Sequence, residues 1–316
     1  MTNFKKSLRQ GLRNGFLKGL RSFVWMLKIL VPISFLTALL QWSGWLAHID
    51  FLIRPITALL SLPAIAALPL IIGMLTNIYG GIAAMVVLPF SREQMTLIAI
   101  FLLIAHNLIQ EGLIQAKSGI HPVKATAFRL VAAIITVMVV ALFLRPQTSP
   151  VEVAMSVQGI AQPFPTMLAH WALLTLKLLT KVFGIIMLIL MTLEVFKEFG
   201  WIDPVVRALR PVLRALGLSD RVGILWMAAV VFGLVYGAAV IVEEAGRGHL
   251  TRDELEPLHL SIGINHSMVE DPMLFLALGL SAFWLWVPRL IMAMLAVRLL
   301  TLWTRFRHTR VRAVAP

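Results

Sequence analysis

The chain has no cysteine, which removes disulfides, thiolate metal sites and cysteine nucleophiles from any reading of it. It has little charge. Only 14% of its 316 residues are Asp, Glu, Lys or Arg, where a soluble domain carries roughly 25%. Acids are scarcer still, 15 against 28 Lys and Arg, so the formal net charge is +13. Catalytic and cofactor signatures are missing too: there is no HExxH, no GxSxG, no Walker A loop and no GxGxxG. The chain therefore reads as a non-enzyme without a cofactor. No nucleic-acid-binding motif accompanies the basic residues, so nucleic acid is not expected as a partner.

What is abundant is apolar: 59% of residues are hydrophobic, and the mean hydropathy is +0.88. The clearest stretches for crossing ~30 Å of hydrocarbon at ~1.5 Å per residue are Val24–Trp42, Val123–Leu144, Val182–Phe196 and Ala282–Trp303. The fold class predicted is all-α, a polytopic transmembrane helical bundle in a bacterial inner membrane, with lipid as a partner and room for a homo-oligomer. Basic residues collect at the ends and between apolar runs, which places both termini in the cytoplasm. In residues 1–22, Phe4, Leu8, Leu12, Phe16 and Leu20 recur four apart among Lys and Arg. That spacing predicts a basic amphipathic helix on the cytoplasmic surface. A cleaved signal peptide is not expected, because the apolar run that follows is longer than an h-region.

The chain repeats itself. Gly44-Trp45 and Arg54-Pro55 return as Gly200-Trp201 and Arg210-Pro211, and Ile78-Tyr79-Gly80 returns as Val235-Tyr236-Gly237. Tyr79 and Tyr236 are the 2 tyrosines of the chain, and they fall at equivalent places. Ser91–Met95 matches Thr251–Leu255, both helix starts with a capping box. Ile104-Ala-His106-Asn107-Leu-Ile-Gln110-Glu111-Gly112 matches Ile264-Asn-His266-Ser267-Met-Val-Glu270-Asp271-Pro272. Landmarks in one order mean duplication. The predicted organisation is a first membrane repeat over 23–144, a Pro/Ser/Gln-rich linker over 145–165, a second repeat over 166–304 and a basic tail over 305–316.

Charge bears on how the repeats are oriented. Were every apolar stretch a full span, the repeats would be parallel and Arg207, Arg210, Arg214 and Arg221 would lie outside, against the positive-inside rule. Re-entrant or broken helices over Pro63–Pro89 and Val222–Val242 give three crossings per repeat, invert the second repeat and bring those arginines inside. Non-helical backbone at membrane depth is tolerated only where protein or water satisfies it, so a re-entrant segment implies a cavity. Inverted repeats are the expectation.

The chemistry-bearing residues lie in the paired motif. On a continuous helix His106 shares a face with Gln110, and Asn107 with Glu111; the second repeat pairs His266 with Glu270 and Ser267 with Asp271. Carboxyls at membrane depth normally face a cavity or a partner, and a pseudo-twofold brings both sets to one axis, where transporters hold their cargo. Gly112 and Pro272, next to the acids, are candidates for unwinding the helix and freeing carbonyls. Asn77, Tyr79 and Tyr236, beside the glycine turns, are further candidates to line a pathway, with close helix packing as the alternative. Imidazole plus carboxylate suits a divalent cation, with His106, His266, Glu111 and Glu270 as ligands, and suits proton coupling equally. The structural alternative is that these groups only bind the halves together.

The paired motif, with the Tyr-Gly turns upstream, resembles the gate domain, or nucleoside-recognition domain, of ferrous-iron permeases, concentrative nucleoside transporters and the spore maturation proteins A and B. The likeness covers roughly residues 24–144 and 167–303. It implies a two-gate membrane unit with a central polar pathway and leaves the cargo open. The chain departs from the iron permeases in lacking an N-terminal G domain and gate cysteines. The leading expectation is a permease for a small ion or polar solute, a divalent metal cation first and a nucleoside-type solute second. The rivals are an accessory or signalling membrane protein and a lipid-carrier flippase.

Overall fold

In the computed structural model, which describes residues 2–45, 55, 57–117, 119–146, 163–201, 204, 207–219, 222–246 and 250–314, the basic N-terminal segment and the first apolar run form one helix, α1 (Thr2–Trp42). The separate surface helix expected over residues 1–22 is corrected accordingly. Its glycines explain why: Gly11 and Gly15 lie so close to the backbone of Val195 and Met191 that a side chain at either would collide, and Gly19 lies against the Met187 side chain. Small residues at this spacing let two helices approach, and the partner is the long helix over Phe164–Glu198. The ring pairs Trp42–Phe164, Phe35–Trp171 and Phe23–Phe183 run in opposite sequence directions, so the two helices are antiparallel. The 41 residues of α1 extend about 60 Å, roughly twice the hydrocarbon thickness. Lys18 bridges to Glu194 at 2.9 Å near the basic end.

After α1 the chain forms short pieces. A 3₁₀ turn (Ala64–Ala66) leads into α2 (Ala67–Leu75) and α3 (Ile78–Met85). Neither is long enough to cross a bilayer. Thr76 leaves the helical region, and Asn77 restarts it by accepting a hydrogen bond from the Gly80 amide at 3.0 Å. The Ser91 capping box then opens α4 (Arg92–Ala105), which is followed by α5 (Leu108–Lys117) and α6 (Pro122–Leu144).

The second half repeats this order. α7 is the Phe164–Glu198 helix, and α8 (Arg210–Leu216) precedes α9 (Gly223–Gly246), whose helix breaks at Gly233 (φ 80°, ψ 168°). The Thr251 capping box opens α10 (Arg252–Asn265), and α11 (Glu270–Leu276) and α12 (Ala282–Val314) follow. Gly44 and Gly200, just past α1 and α7, both take positive φ, the usual way to end a helix. No strand occurs among the described residues.

Among the described residues, five helical stretches are long and apolar enough to cross a membrane: Phe4–Trp42, Arg92–Lys117, Pro122–Leu144, Phe164–Glu198 and Ala282–Trp303. Their polarity is inside out. On α6, Val131, Ile135, Met138 and Leu142 are exposed along one face while Arg129, Ala132, Thr136 and Val140 are buried on the other. On α12, Ile291, Leu295 and Leu299 are exposed while Leu285, Arg289, Ala293 and Val297 are buried. Exposed aliphatic stripes of this length are stable against lipid and costly in water. The chain is a helical-bundle membrane protein. At its centre lies α4, buried almost throughout and packed by α6, α10 and α12.

The linker proposed over 145–165 falls mostly outside the described residues, as do the side chains of Tyr236, Arg210 and the basic tail.

Candidate functional site

The site forms where two helices stop. α4 ends at Ala105: His106 turns extended and Asn107 takes φ 49° before α5 begins. α10 ends at Asn265 in the same way: His266 turns extended and Ser267 takes φ 51°. Both breaks dock onto the broken segments of their own half. The Asn107 amide donates to the Gly73 carbonyl at 2.9 Å, and the Ser267 and Met268 amides donate to Ala229 and Val230 at 3.1 and 2.8 Å. This corrects the expectation of a continuous helix unwound at Gly112 and Pro272. Gly112 is needed for packing, since a side chain there would meet Thr126 Oγ1. Pro272 sits in the first turn of α11, where its missing amide costs nothing.

Ending a helix at membrane depth strands carbonyls, and two arginines take them. Arg129 Nε and Nη2 donate to the carbonyls of Ile104 and His106 at 2.9 and 2.8 Å. Arg289 Nε and Nη2 donate to Ile264 at 3.1 and 2.8 Å, and Nη2 also donates to His266 at 3.0 Å. Each guanidinium therefore sits at the negative end of a helix and neutralises it. Neither arginine was singled out from sequence. The signal was present: Arg129-Leu130 and Arg289-Leu290 interrupt apolar runs at the offset that relates the His motifs.

The two imidazoles come together, ring centroids 5.0 Å apart. Each Nδ1 lies against the carbonyl four residues back, His106 on Leu102 at 2.7 Å and His266 on Ile262 at 3.1 Å. A carbonyl only accepts, so Nδ1 carries the proton and the Nε2 atoms face the centre. His106 Nε2 lies 3.4 Å from Glu111 Oε1 and 3.7 Å from Asp271 Oδ2, and His266 Nε2 lies 3.3 Å from Glu111 Oε2. Arg129 Nη1 stands 2.6 Å from Glu111 Oε2, a close ion pair off the hydrogen-bond line. His106, Glu111, His266 and Asp271 are all buried. Unpartnered buried polar atoms concentrate here, among them His266 Nε2, Asp271 Oδ2, Arg289 Nη1 and both amide atoms of Asn265. Such groups are rare in folded proteins, and each calls for a reason.

The other expected site residues are placed less centrally. Glu270 begins α11, so it points about 100° away from Asp271. It accepts the Tyr79 hydroxyl at 2.6 Å, a bond between the two halves. Glu270 thus lies away from the histidine pair, and its neighbour Asp271 is the carboxyl of α11 that stands beside His106. Asn107 Nδ2 donates to Gln110 Oε1 at 3.2 Å, and both residues line a cleft of about 850 Å³ with Leu75, Thr76, Leu113 and Lys117. Asn77 acts as a helix cap, and Ser267 supplies the turn. A further tie between halves, unforeseen from sequence, is Gln115 Nε2 donating to the His259 carbonyl at 3.2 Å.

Over 316 residues the chain is 26% identical to an uncharacterized membrane protein, YvoD, of Bacillus subtilis (strain 168), an alignment covering 97% of this chain and 98% of that one. No family model matches the chain. No solved structure matches it either.

Proposed function

We propose that this membrane protein is a permease that moves a small ion or polar solute through the junction of its two halves, with a cation as the favoured cargo. The observation that carries the reading is the meeting of His106 and His266, at 5.0 Å, with Glu111 and Asp271 at paired helix breaks. Glue between helices needs matched donors and acceptors. With the rings neutral, acceptor faces acceptor: the Nε2 atoms look onto carboxylate oxygens, an arrangement that a positive charge relieves. Within the centre Glu111 is already paired with Arg129, and Asp271 is the carboxyl left for a cation or a proton to balance.

The proposed arrangement is an inverted repeat with both termini on the basic, cytoplasmic face of the inner membrane. The antiparallel course of α1 and α7, the first long helix of each half, supports it, because equivalent helices run in opposite directions only when the repeats are inverted. The gate-domain likeness belongs to this proposal, and a nucleoside-type solute is the second candidate cargo. The rival reading, an accessory protein whose polar centre is structural, draws on the burial of the Glu111–Arg129 pair.

The test is uptake into proteoliposomes of radiolabelled small cations and nucleosides by the wild type, His106→Ala and His266→Ala. Saturable uptake lost in both variants is expected. Uptake of nothing by the folded wild type, or undiminished uptake by both variants, removes the reading. Orientation is tested separately on this cysteine-free chain: a single cysteine at Ala208 should resist a periplasm-restricted thiol label.

A further inference from the structure

We infer that His106 Nε2, His266 Nε2 and a carboxylate oxygen of Asp271 form a three-ligand site for a borderline divalent transition-metal ion such as Zn²⁺, Fe²⁺, Mn²⁺ or Co²⁺, with Glu111 as its charge-holding neighbour. The inference deepens the permease reading in naming the cargo class, though binding itself does not depend on transport.

One potential ligand atom from each of the three residues lies within 4.8 Å of the other two. A tetrahedral ion with bonds of about 2.0–2.1 Å holds its ligands about 3.3–3.4 Å apart. His106 Nε2 and Asp271 Oδ2 already stand 3.7 Å apart, so a contraction of a few tenths of an ångström closes that edge. The imidazoles are oriented as metal-binding histidines are, with the far nitrogen donating to a backbone carbonyl and the near one left bare. Those carbonyls belong to α4 and α10, so the rings are aimed by rigid helices rather than by loops. His266 Nε2 and Asp271 Oδ2 are buried without a hydrogen-bond partner.

Glu111 differs from Asp271 because Arg129 already neutralises it. It offsets charge near the ion and leaves the fourth position open. Closed four-ligand sites hold a metal as structure, and open ones exchange it, as a pathway requires. The donor set also discriminates. Two imidazole nitrogens favour transition metals over Mg²⁺ and Ca²⁺, which prefer all-oxygen shells.

The test uses tag-free, detergent-purified protein titrated with Co²⁺, read by visible absorption, and with Zn²⁺, Mn²⁺ and Mg²⁺ by calorimetry. One Co²⁺ per chain is expected, with the intense bands of a four-coordinate ion, and no Mg²⁺ binding. Asp271→Asn and His266→Gln should each weaken binding at least tenfold while keeping the wild-type melting temperature within a few degrees. His121→Asn/His170→Asn, which removes exposed imidazoles elsewhere, should bind as the wild type does. The site is overturned if the folded wild type binds no Co²⁺ or Zn²⁺ saturably, or if Asp271→Asn and His266→Gln bind unchanged. Metal binding without uptake of any cation or nucleoside in proteoliposomes upholds the site and sinks the permease reading; uptake of another solute without metal binding does the reverse.

Discussion

Glu111 in the first half is held by Arg129 at 2.6 Å, whereas Asp271 in the second half has no guanidinium paired to it among the described residues, although Arg289 stands at the position equivalent to Arg129. The same kinds of part recur in both halves, yet the charges are settled differently. Arg129 donates to two carbonyls and is paired by charge with a carboxylate. Arg289 gives its bonds to the carbonyls of Ile264 and His266 and keeps Nη1 unpartnered. One half thus has a closed ion pair and the other a carboxyl still open to a new partner. The two halves share a frame of paired helix breaks, and they differ in how the carboxyl beside each break is held.

The largest effect expected is at Arg129. Arg129→Met removes the ion pair and two carbonyl bonds at once, leaving Glu111 as a buried charge facing only imidazoles. Breaking one side of a buried pair costs about 3–5 kcal/mol, so thermal unfolding in detergent, followed by tryptophan fluorescence, should show a large fall in melting temperature. Arg289→Met frees carbonyls but strands no paired carboxylate, and should fall less. Equal losses would mean that the asymmetry has no energetic weight.

The carboxyls sharpen the same contrast. Glu111→Gln leaves the Arg129 guanidinium buried without its counter-charge and should cost about 3 kcal/mol. Asp271→Asn removes a carboxylate that no guanidinium pairs among the described residues, so stability should change by less than about 1 kcal/mol while metal binding is lost. A destabilised Asp271→Asn protein would place that carboxyl in the frame rather than the site.

Why the sequence revealed some of this and hid the rest follows from particular residues. The apolar runs, the capping boxes at Ser91 and Thr251 and the convergence of His106 with His266 were legible because each appears twice in order. The breaks were misplaced. Gly112 and Pro272 are the usual helix breakers, but the chain turns at Asn107 and Ser267, and a serine at positive φ carries no such signal. A lone Arg in an apolar run has the same sequence pattern whether it snorkels or is buried. A guanidinium costs ~2.5–3.5 kcal/mol at membrane depth, so two at one offset needed a reason, and stranded carbonyls provide it. Asp271 rather than Glu270 turned inward for a reason of register: it depends on where α11 begins, which residue types alone do not fix.

Tyr79 tests the bond between halves. Its hydroxyl donates to Glu270 at 2.6 Å, from the first half's α3 to the second half's α11. Tyr79→Phe keeps the ring packed against Trp25 and deletes only that bond, worth about 1.5–3 kcal/mol for a charged acceptor. If Tyr79 only fills space, stability will not move. If the bond holds the halves closed, the phenylalanine variant should also speed metal exchange at the centre, measured by stopped-flow chelation of Co²⁺.

The smallest effect belongs at the edge. Lys18 joins α1 to α7 through Glu194 at 2.9 Å, but Lys18 is 54% exposed and Glu194 keeps Lys197 at 2.9 Å when Lys18 is lost. An exposed pair contributes about 0–1 kcal/mol, so Lys18→Ala should shift the melting temperature by no more than a degree or two. The hairpin is held instead by the close approach at Gly15, where any side chain meets the backbone of Met191. Gly15→Leu should therefore destabilise far more than Lys18→Ala, although it removes no polar contact. A reversed order would mean that charge, rather than packing, holds α1 against α7, and that its basic end docks on the bundle as the salt bridge dictates.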